Sequence, residues 1–487
     1  MAKPDSTIVV DPTERFDISP YLTMQFMEPL GTTDGSVEAA WDFNADGWRE
    51  DVIAAAIELN VPMVRWGGCY SSYYKWREGI GPRNERPIMY NTLWGGTESN
   101  RIGTHEFLDF CHRVGAQALI CVNFGSDGEE KWMRHPIGGD RVGTAREAAE
   151  WVDYCNDPSN RERIRNGTRD PFNIRHWQIG NETSYVRNGW SCREAAARTV
   201  DFAQAMRSAD PGIELVGWGD TGWARAMYER TEGRLDYLAF HCFFGSALAD
   251  SPLKDADYRR DFPATWEHLM SASATVEEKI VRVRQELSGC NVRGAITECH
   301  FSLRGRNRCE VLSTWAAGVA NARILNVFAR NADFLGIANL GDFLGTRWQV
   351  NCLMIPTPLR SGQNTYPMPV AHATALFSSH IGKRSLHVKT RDPYLDVTAS
   401  RTDNTVYLYV INTNCDNTLS ASIEIPGSCI PSVRVFQITA DPQEEIMETR
   451  TDIFAVEKLS IAGNTVEFPA ASVSAVELEI GREHSDG

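Results

Sequence analysis

The chain has 487 residues, of which 42% are hydrophobic, and its formal net charge is −15 at pH 7. This length exceeds one average domain and fits a barrel of about 250–400 residues with one smaller module. The acidic balance argues against nucleic acid and anionic membranes as partners and is compatible with a neutral substrate. No run of about 18 apolar residues occurs, so we expect no transmembrane helix.

The first residues and the cysteines indicate the cellular compartment of the protein. The N-terminus lacks the apolar core of a signal peptide, and twelve cysteines are scattered without Cys-x-x-Cys pairs. We therefore expect reduced cysteines in a cytoplasmic protein. We expect no metal site, because Cys111-His112, His241-Cys242 and Cys299-His300 are adjacent pairs that point to opposite faces of a strand. No Gly-x-Gly-x-x-Gly motif follows the first strand, so we expect no dinucleotide cofactor.

Strands and helices alternate regularly along most of the chain. Strands are predicted at residues 21–26, 62–68, 117–124, 175–182, 213–218, 235–241, 293–298 and 334–339. Helices are predicted at 48–59, 104–114 with Thr104 as N-cap, 145–155, 195–206, from the capping box Thr275–Glu278 onward, and at 309–331. Eight such alternations imply a parallel sheet and predict a (β/α)₈ barrel, an α/β fold.

The pattern of apolar and polar residues changes from about Ser385. Short runs of alternating apolar residues follow one another with turn residues between them and without a helical pattern. This predicts a β-sandwich of roughly 100 residues, jelly-roll-like in form. We therefore divide the chain into a catalytic barrel at 16–380 and a sandwich at 381–487.

Two strands of the predicted barrel end on glutamates. Asn181-Glu182 ends the fourth strand and Glu298 ends the seventh. Barrel enzymes present catalytic side chains at the C-terminal ends of their strands, and retaining glycosidases need two carboxyl groups about 5–5.5 Å apart. The pair predicts a retaining glycosidase, with Asn181 as a neutral donor to a sugar hydroxyl. The residues alone leave open which glutamate has which role, and either one could instead cap the next helix.

The loop after the second strand, residues 69–103, is rich in aromatic side chains. Such rings suit the C–H faces of sugars, but they could equally fill a small core of the loop itself. The aromatic residues are Tyr70, Tyr73, Tyr74, Trp76, Tyr90 and Trp94.

Several motifs together resemble a known family. They are Val64–Tyr70 (VRWGGCY), Trp76–Pro82 (WREGIGP), Arg86-Pro87, Gly103–Phe107 (GTHEF), Trp177–Glu182 (WQIGNE) and Thr297-Glu298. The chain resembles retaining α-L-arabinofuranosidases of glycoside hydrolase family 51, whose acid/base follows an asparagine on strand four of a (β/α)₈ barrel. The resemblance covers about Gln25 to Leu376, and it implies that the N-terminal strand, residues 1–15, joins the sandwich.

The resemblance also implies roles for individual residues. Glu182 would be the acid/base and Glu298 the nucleophile. Glu28 would bind sugar hydroxyls and Arg65 would orient the nucleophile, while Cys69 would lie near the sugar. Taken singly, Glu28 could be an ordinary exposed carboxylate, Arg65 could form a salt bridge in the barrel interior, and Cys69 could be a small buried apolar residue.

Four further positions are expected to bind substrate. His241 matches the family's histidine on strand six, although it could be a core histidine, and Trp94 lies in the aromatic loop. The chain departs from the family at Phe243, where a tyrosine is usual, and lacks a proline before Gly67. Gln349 is the candidate for the family's late glutamine.

These observations predict an exo-acting α-L-arabinofuranosidase that releases terminal arabinofuranose from oligosaccharides by double displacement. Two alternatives remain. One is a related retaining glycosidase for a galactofuranoside or a xyloside, and the other is a catalytically weak carbohydrate-binding protein. No cofactor or metal is expected, and family resemblance implies a homo-oligomer, commonly a hexamer.

Overall fold

A computed structural model describes residues 6–29, 36–91, 96–125, 133–134, 141–185, 189–244, 253, 257–302, 309–346, 349–356 and 363–482. Its two main sheets are an eight-stranded parallel sheet with helices outside it and a nine-stranded sheet formed largely by the C-terminal part. None of the helices in these ranges has the length and hydropathy needed to cross a membrane. All twelve cysteines fall within these ranges, and each is a free thiol.

The parallel sheet closes on itself. We number its strands 1 to 8 in chain order: Gln25–Met27, Met63–Trp66, Gln117–Val122, His176–Ile179, Glu214–Trp218, Tyr237–Phe244, Arg293–Phe301 and Leu335–Ala338. Each strand pairs with its neighbours in sequence. A parallel bridge between Met24 and Asn339 then joins the first strand to the last. The predicted (β/α)₈ barrel is therefore confirmed.

Alternation along the strands explains how the barrel fills. Leu119 of strand 3 packs inside the barrel with Val216, Ala295 and Ile337 from other strands. Its neighbour Ile120 faces outward and joins the larger core between strands and helices. Successive side chains of a strand point to opposite faces, so a strand buried on both sides needs a continuous apolar run.

The helices of the described residues surround this sheet. They are Ser36–Ala39, Glu50–Glu58, Thr104–Val114, Ala145–Asn156, Arg161–Arg165, Cys192–Ala209, Ala224–Arg230, Phe262–Glu286, Trp315–Arg330 and Pro369–Ser379. Short 3₁₀ turns lie at Cys69–Ser72, Trp76–Gly79, Arg83–Glu85, Asp257–Arg259 and Glu310–Ser313. Four predicted helices, those near residues 48, 104, 145 and 195, are confirmed with ends shifted by a few residues.

The predicted helix start at Thr275 is wrong. Thr275 lies in the middle of a 25-residue helix, Phe262–Glu286, whose N-cap is Asp261. The carboxylate of Asp261 accepts a hydrogen bond from the N–H of Ala264 (3.1 Å), and Pro263 occupies the first turn. Ser/Thr-x-x-Glu is also common inside helices, so the motif alone does not mark a start.

Two other predicted helix features need correction. Gly103, not Thr104, is the N-cap, and its N–H donates to the Glu106 carboxylate (2.9 Å). The hydroxyl of Thr104 instead accepts from the indole N–H of Trp151 (3.1 Å). The predicted helix at 309–331 is interrupted at Thr314, whose side chain caps the helix that begins at the next residue.

The nine-stranded sheet forms the second module. Its strands are Ser6–Asp17, Arg384–Thr390, Leu395–Thr402, Thr405–Asn412, Leu419–Glu424, Ser428–Ile438, Glu457–Ile461, Thr465–Phe468 and Val473–Arg482. Apolar side chains from across this sheet share one core, which requires the sheet to fold over itself as a sandwich. Ser6–Asp17 pairs with Arg384–Thr390 and Leu419–Glu424. The exact borders 16–380 and 381–487 remain a proposal.

Short strands complete the described structure. They are Trp41–Asp42, Gly47–Trp48, Met89–Asn91, Thr97–Glu98, Met133–Arg134, Asp342–Gly345, Asn351–Met354 and Tyr366–Pro367. The strand Asp342–Gly345 lies just past strand 8, at the end of the barrel where the parallel strands terminate. It pairs in parallel with Asn351–Met354.

A partly buried carboxylate joins the sandwich to the barrel. Asp396 of the sandwich contacts Arg323 (3.1 Å) and Arg330 (2.7 Å), and it accepts a hydrogen bond from Asn326 (3.1 Å). All three partners lie on the helix Trp315–Arg330. Burial raises the pKa of Asp396, but the two guanidinium groups oppose this and bring it below its ordinary value.

We expect Asp396→Asn to destabilise the protein by about 2–4 kcal/mol at pH 7, because it leaves two arginines without their common partner. A carboxylate with a lowered pKa stabilises the fold above its unfolded pKa, and this stabilisation disappears as the pH falls. The difference from wild type should therefore stay nearly constant from pH 7 down to about pH 4 and narrow below that, as measured by thermal unfolding between about pH 7 and about pH 2.5. Asp416→Asn, at an exposed turn of the same module, is the control. A difference of constant size at all pH values would contradict the assignment.

Candidate active site

Ionisable side chains converge at the C-terminal end of the barrel strands. Glu28 follows strand 1, Arg65 lies on strand 2, Glu182 follows strand 4 and Glu298 lies on strand 7. All four are buried. The carboxyl ends of parallel barrel strands meet at one edge, which places these residues around a common space.

Arg65 connects three of the surrounding groups. Its Nη1 donates to Oε1 of Glu298 (3.0 Å), Nη2 to Oδ1 of Asn181 (2.7 Å) and Nε to Oε1 of Gln178 (2.7 Å). The side chain is wholly buried. A buried guanidinium is tolerated when its N–H groups have acceptors, and a planar fork holds each acceptor in a fixed direction.

The environment of Glu298 shifts its protonation. Burial raises its pKa above the ordinary value, Arg65 opposes this effect, and the nearby Asp342 carboxylate adds to it. Oε2 of Glu298 lies 3.6 Å from Nδ1 of His241. The cation on one oxygen therefore keeps available an ionised form that burial alone would disfavour.

Glu182 sits in an unusual backbone conformation. Its φ is 52°, in the left-handed region, and Gly180 two residues earlier has a φ of 77°. Non-glycine residues rarely adopt this conformation, and they do so mostly where the surrounding structure holds them. Oε1 of Glu182 lies 3.1 Å from Nδ1 of His241, and Oε2 lies 3.6 Å from Sγ of Cys69. The tight turn thus directs the carboxylate at the end of strand 4 towards strand 6.

His241 stands between the two glutamates. Its Nε2 contacts Oγ1 of Thr297 (3.0 Å), and its ring packs edge-on against Trp218, with centroids 4.6 Å apart. One oxygen of Glu182, one oxygen of Glu298 and a ring nitrogen of His241 all lie within 4.8 Å of one another. That spacing would also suit a divalent cation, but Arg65 already neutralises Glu298 and would repel a second positive charge.

One of the two polar groups of the Asn181 side chain already has a hydrogen-bond partner. Its Oδ1 accepts from Arg65, which orients the amide. The NH₂ group therefore remains the part of Asn181 that can bind a ligand, as a neutral donor next to Glu182.

Glu28 is packed against the glycine turn. Its Oε1 accepts a hydrogen bond from the N–H of Tyr70 (3.0 Å). Burial raises its pKa well above the ordinary value, and the Glu298 charge contributes to the rise. Gly68 has a φ of 121°, and a Cβ there would lie 2.3 Å from the Glu28 carboxyl carbon. Only glycine fits this approach, which explains the second glycine of Gly67-Gly68.

The remaining predicted residues differ in their placement. Phe243 is 38% exposed and its ring lies 5.5 Å from that of His241 and 4.8 Å from that of His300, so it borders the site. Gln349 accepts a hydrogen bond from the N–H of Cys309 (3.2 Å), a contact between two loops. Trp94 lies outside the described residues, and its predicted role stays a prediction.

Four aromatic residues of the long loop are buried rather than presented to a ligand. Tyr70 and Tyr74 pack on each other and on Trp66, and Tyr74 and Trp76 pack on Trp151, which favours the interpretation that the loop has a core of its own. These residues are Tyr70, Tyr73, Tyr74 and Trp76.

Comparisons with known proteins agree with this geometry. The family model for the α-L-arabinofuranosidase 1 domain matches residues 55–248, and the model for the α-L-arabinofuranosidase C-terminal domain matches residues 302–472. The chain belongs to the α-L-arabinofuranosidases of glycoside hydrolase family 51. The resemblance inferred from the motifs is confirmed.

Individual relatives cover the chain to different extents. A protein of Aspergillus terreus named probable α-L-arabinofuranosidase C is 27% identical over 89% of this chain and 90% of its own length. An intracellular exo-α-(1→5)-L-arabinofuranosidase of Halalkalibacterium halodurans is 34% identical over 50% of this chain and 49% of its own length. The family 51 enzyme structure from Thermotoga petrophila superposes with a TM-score of 0.81 at 22% identity, covering 98% of this chain and 100% of that one, which supports the fold.

Sequence reasoning missed several residues that the family 51 site of this chain contains. Gln178 and Thr297 hold Arg65 and His241. Asp220 accepts the N–H of His241 (3.3 Å) and forms an ion pair with Lys279. Two further missed residues, His300 and Asp342, lie beyond Glu298 and strand 8 respectively. Their positions close to the C-terminal ends of strands are the available signal, the same one that identifies Glu182 and Glu298.

We expect Arg65→Leu to destabilise the protein most at higher pH. Without the guanidinium, the pKa of the buried Glu298 rises further, and an acid with a raised pKa costs the folded state more as the pH increases. The loss should be about 3–5 kcal/mol at pH 7.5 and clearly smaller at pH 5, measured by thermal unfolding.

A control for this variant is Arg175→Leu. Arg175 is exposed and pairs with Glu214 at the opposite end of strand 4, where an ion pair is worth about 0–1 kcal/mol. Equal losses for Arg65→Leu at both pH values would show that Arg65 does not compensate the charge of Glu298.

Proposed function

We propose that the protein is an exo-acting α-L-arabinofuranosidase that releases terminal arabinofuranose from oligosaccharides by double displacement. The observation that carries the proposal is the pair of buried glutamates, whose nearest oxygens lie within 4.8 Å of each other. Retaining glycosidases place their carboxyl groups about 5–5.5 Å apart, whereas inverting enzymes leave about 6.5–9.5 Å for a water molecule. Family membership and the names of the relatives supply the sugar and the exo action.

Glu298 is the proposed nucleophile. Arg65 occupies its Oε1, so Oε2 is the oxygen left to attack the anomeric carbon. The attack forms a covalent glycosyl–enzyme ester and breaks the bond to the leaving oxygen. Because Arg65 favours the ionised form against the effect of burial, the nucleophile is ready for attack before the substrate binds.

Glu182 is the proposed acid/base. It gives its proton to the leaving oxygen in the first step and takes a proton from water in the second, when that water cleaves the ester. Both oxygens near Nδ1 of His241 are acceptors when ionised, so His241 carries its proton on Nδ1. His241 can then donate to Glu182 once that carboxylate has lost its proton.

Neutral and acidic groups around the pair bind the sugar. Asn181 offers its NH₂ group next to the acid/base, and Glu28 faces the same space from strand 1. The raised pKa of Glu28 lets its carboxyl donate as well as accept a hydrogen bond over a wider pH range. Cys69 lies beside Glu182, and Phe243 closes one side with a ring that has no hydroxyl.

Location and assembly are part of the proposal. The Halalkalibacterium halodurans relative is named an intracellular enzyme, which supports a cytoplasmic location and short imported oligosaccharides as substrates. Family resemblance supports a homo-oligomer, with a hexamer as the expected form. Analytical ultracentrifugation of the purified chain measures the subunit number.

The function is tested with a panel of aryl glycosides. We expect fast release of 4-nitrophenol from its α-L-arabinofuranoside, and much slower release from the β-D-galactofuranoside and β-D-xylopyranoside. Activity on a different glycoside of the panel would mean that the enzyme is specific for another sugar but uses the same mechanism. Absence of release from every member would contradict the proposal and favour a carbohydrate-binding protein.

The roles of the glutamates are tested by rescue with azide. Glu298→Ala should lower turnover by at least about 10⁴-fold, and azide should then give the β-arabinofuranosyl azide, because a single displacement inverts the configuration. Glu182→Ala should keep its first step on aryl glycosides with good leaving groups, since these need no proton. Azide should then give the α-azide through the covalent intermediate. Exchange of the two products between the variants would exchange the roles.

A further inference from the structure

A third carboxylate lies beside the proposed catalytic pair and has no part in the mechanism above. Asp342 is 9% exposed, and its Oδ1 is buried without a hydrogen-bond partner among the described residues. Burial raises the pKa of Asp342, and His300 opposes the rise. An unpaired buried carboxylate oxygen is costly, so its presence needs an explanation.

Asp342 shares its space with the two other acids of strands 1 and 7. Its charge contributes to the raised pKa of Glu298 and to that of Glu28. Because strands 7, 8 and 1 are consecutive around the closed barrel, the three carboxylates surround one part of the barrel mouth. That part lies on the strand 8 side of Glu298, opposite Glu182.

The backbone around Asp342 is fixed relative to Glu298. The N–H of Gly341, a residue with a φ of 78°, donates to the carbonyl of Cys299 (2.7 Å). Asn339 accepts the N–H of Cys299 (3.0 Å) and donates to the carbonyl of Gly341 (2.9 Å). These contacts bind the segment before Asp342 to the residue after Glu298, so hydrogen bonds from the backbone and from the Asn339 side chain set the separation of the two acids.

His300 does not satisfy Asp342. Its Nδ1 donates to the carbonyl of Phe301 (2.8 Å), which leaves Nε2 facing Asp342. Nε2 lies 3.8 Å from Oδ1, too far for a hydrogen bond. The ring of Phe243 packs on the other side of His300 and holds the imidazole in place.

We propose that Asp342 is a further substrate-binding residue, whose Oδ1 accepts a hydrogen bond from a hydroxyl group of the sugar bound beside Glu298. The inference rests on the proposed function and adds a specificity determinant to it. A sugar hydroxyl supplies the donor that the free protein lacks, and a hydrogen bond to a carboxylate is about twice as strong as one between neutral groups. A substrate without that hydroxyl leaves the carboxylate unpaired and is rejected.

The first experiment separates a binding role from a structural one. Asp342→Asn keeps the shape of the side chain and removes its charge from a group of three carboxylates. We expect its melting temperature to equal or exceed that of wild type, while kcat/KM on 4-nitrophenyl α-L-arabinofuranoside falls by about 10-fold. A structural residue would show the opposite pattern, with a lower melting temperature and little change in kcat/KM.

The second experiment identifies the hydroxyl. Wild type and Asp342→Ala are compared on 4-nitrophenyl α-L-arabinofuranoside and on its 2-deoxy, 3-deoxy and 5-deoxy derivatives. We expect Asp342→Ala to lower kcat/KM by about 10–100-fold on the parent glycoside and by less than about 3-fold on one deoxy derivative, because that derivative has already lost the contact. The same loss on all four glycosides would overturn the proposal.

The matched control is Asp333→Ala. Asp333 precedes strand 8 at the opposite end of the barrel and pairs with Arg284 near the surface, and we expect unchanged kcat/KM on every glycoside. Turnover of the parent glycoside by wild type decides the proposed function. The loss of kcat/KM caused by Asp342→Ala, compared among the deoxy derivatives, decides the role of Asp342. The proposed function and the role of Asp342 can therefore be contradicted independently of each other.

Discussion

The contact on which the site depends is the buried guanidinium of Arg65. It reaches strand 4 through Gln178 and Asn181 and strand 7 through Glu298, so one side chain sets the spacing between the two catalytic strand ends. A lysine could not do this, because an ammonium group is a point charge without a planar fork. The glycine turn Gly67-Gly68 begins two residues after Arg65 in the chain. Because Gly68 has no side chain, the Glu28 carboxyl can pack against it, so this turn also sets the position of Glu28.

Among the described residues of the site, acidic side chains outnumber cations, and this excess of negative charge suits proton transfer. Burial raises the pKa of Glu28, Glu298 and Asp342, while Arg65 is the cation in direct contact with a member of this group among the described residues. Like charges in a low dielectric favour keeping a proton in the cluster. The cost to stability falls on the free protein, and the substrate relieves part of it by donating hydroxyl groups. Stability and function therefore oppose each other here.

Much of this could be predicted from the sequence, for physical reasons that differ between elements. The barrel strands are apolar runs bounded by turns, and Glu182 and Glu298 stand at their ends, so local patterns are sufficient. The predicted helix start at Thr275 is wrong because packing along the whole helix Phe262–Glu286 outweighs a local capping motif. Asp342 was missed because its importance comes from barrel closure, which brings the ends of strands 8 and 1 together from distant parts of the chain.

The change at Phe243 and the unpaired Asp342 belong to the same side of the site. Where the family usually has a tyrosine hydroxyl near the nucleophile, this chain has an aromatic ring that packs against His300 and has no hydroxyl to donate. His300 in turn faces Asp342 across a gap of 3.8 Å. On the His300 side of Glu298 the polar group then comes from Asp342, past the end of strand 8, because Phe243 of strand 6 has no hydroxyl. Sugar recognition in this member of the family thus depends on a carboxylate that a search for the usual tyrosine would overlook.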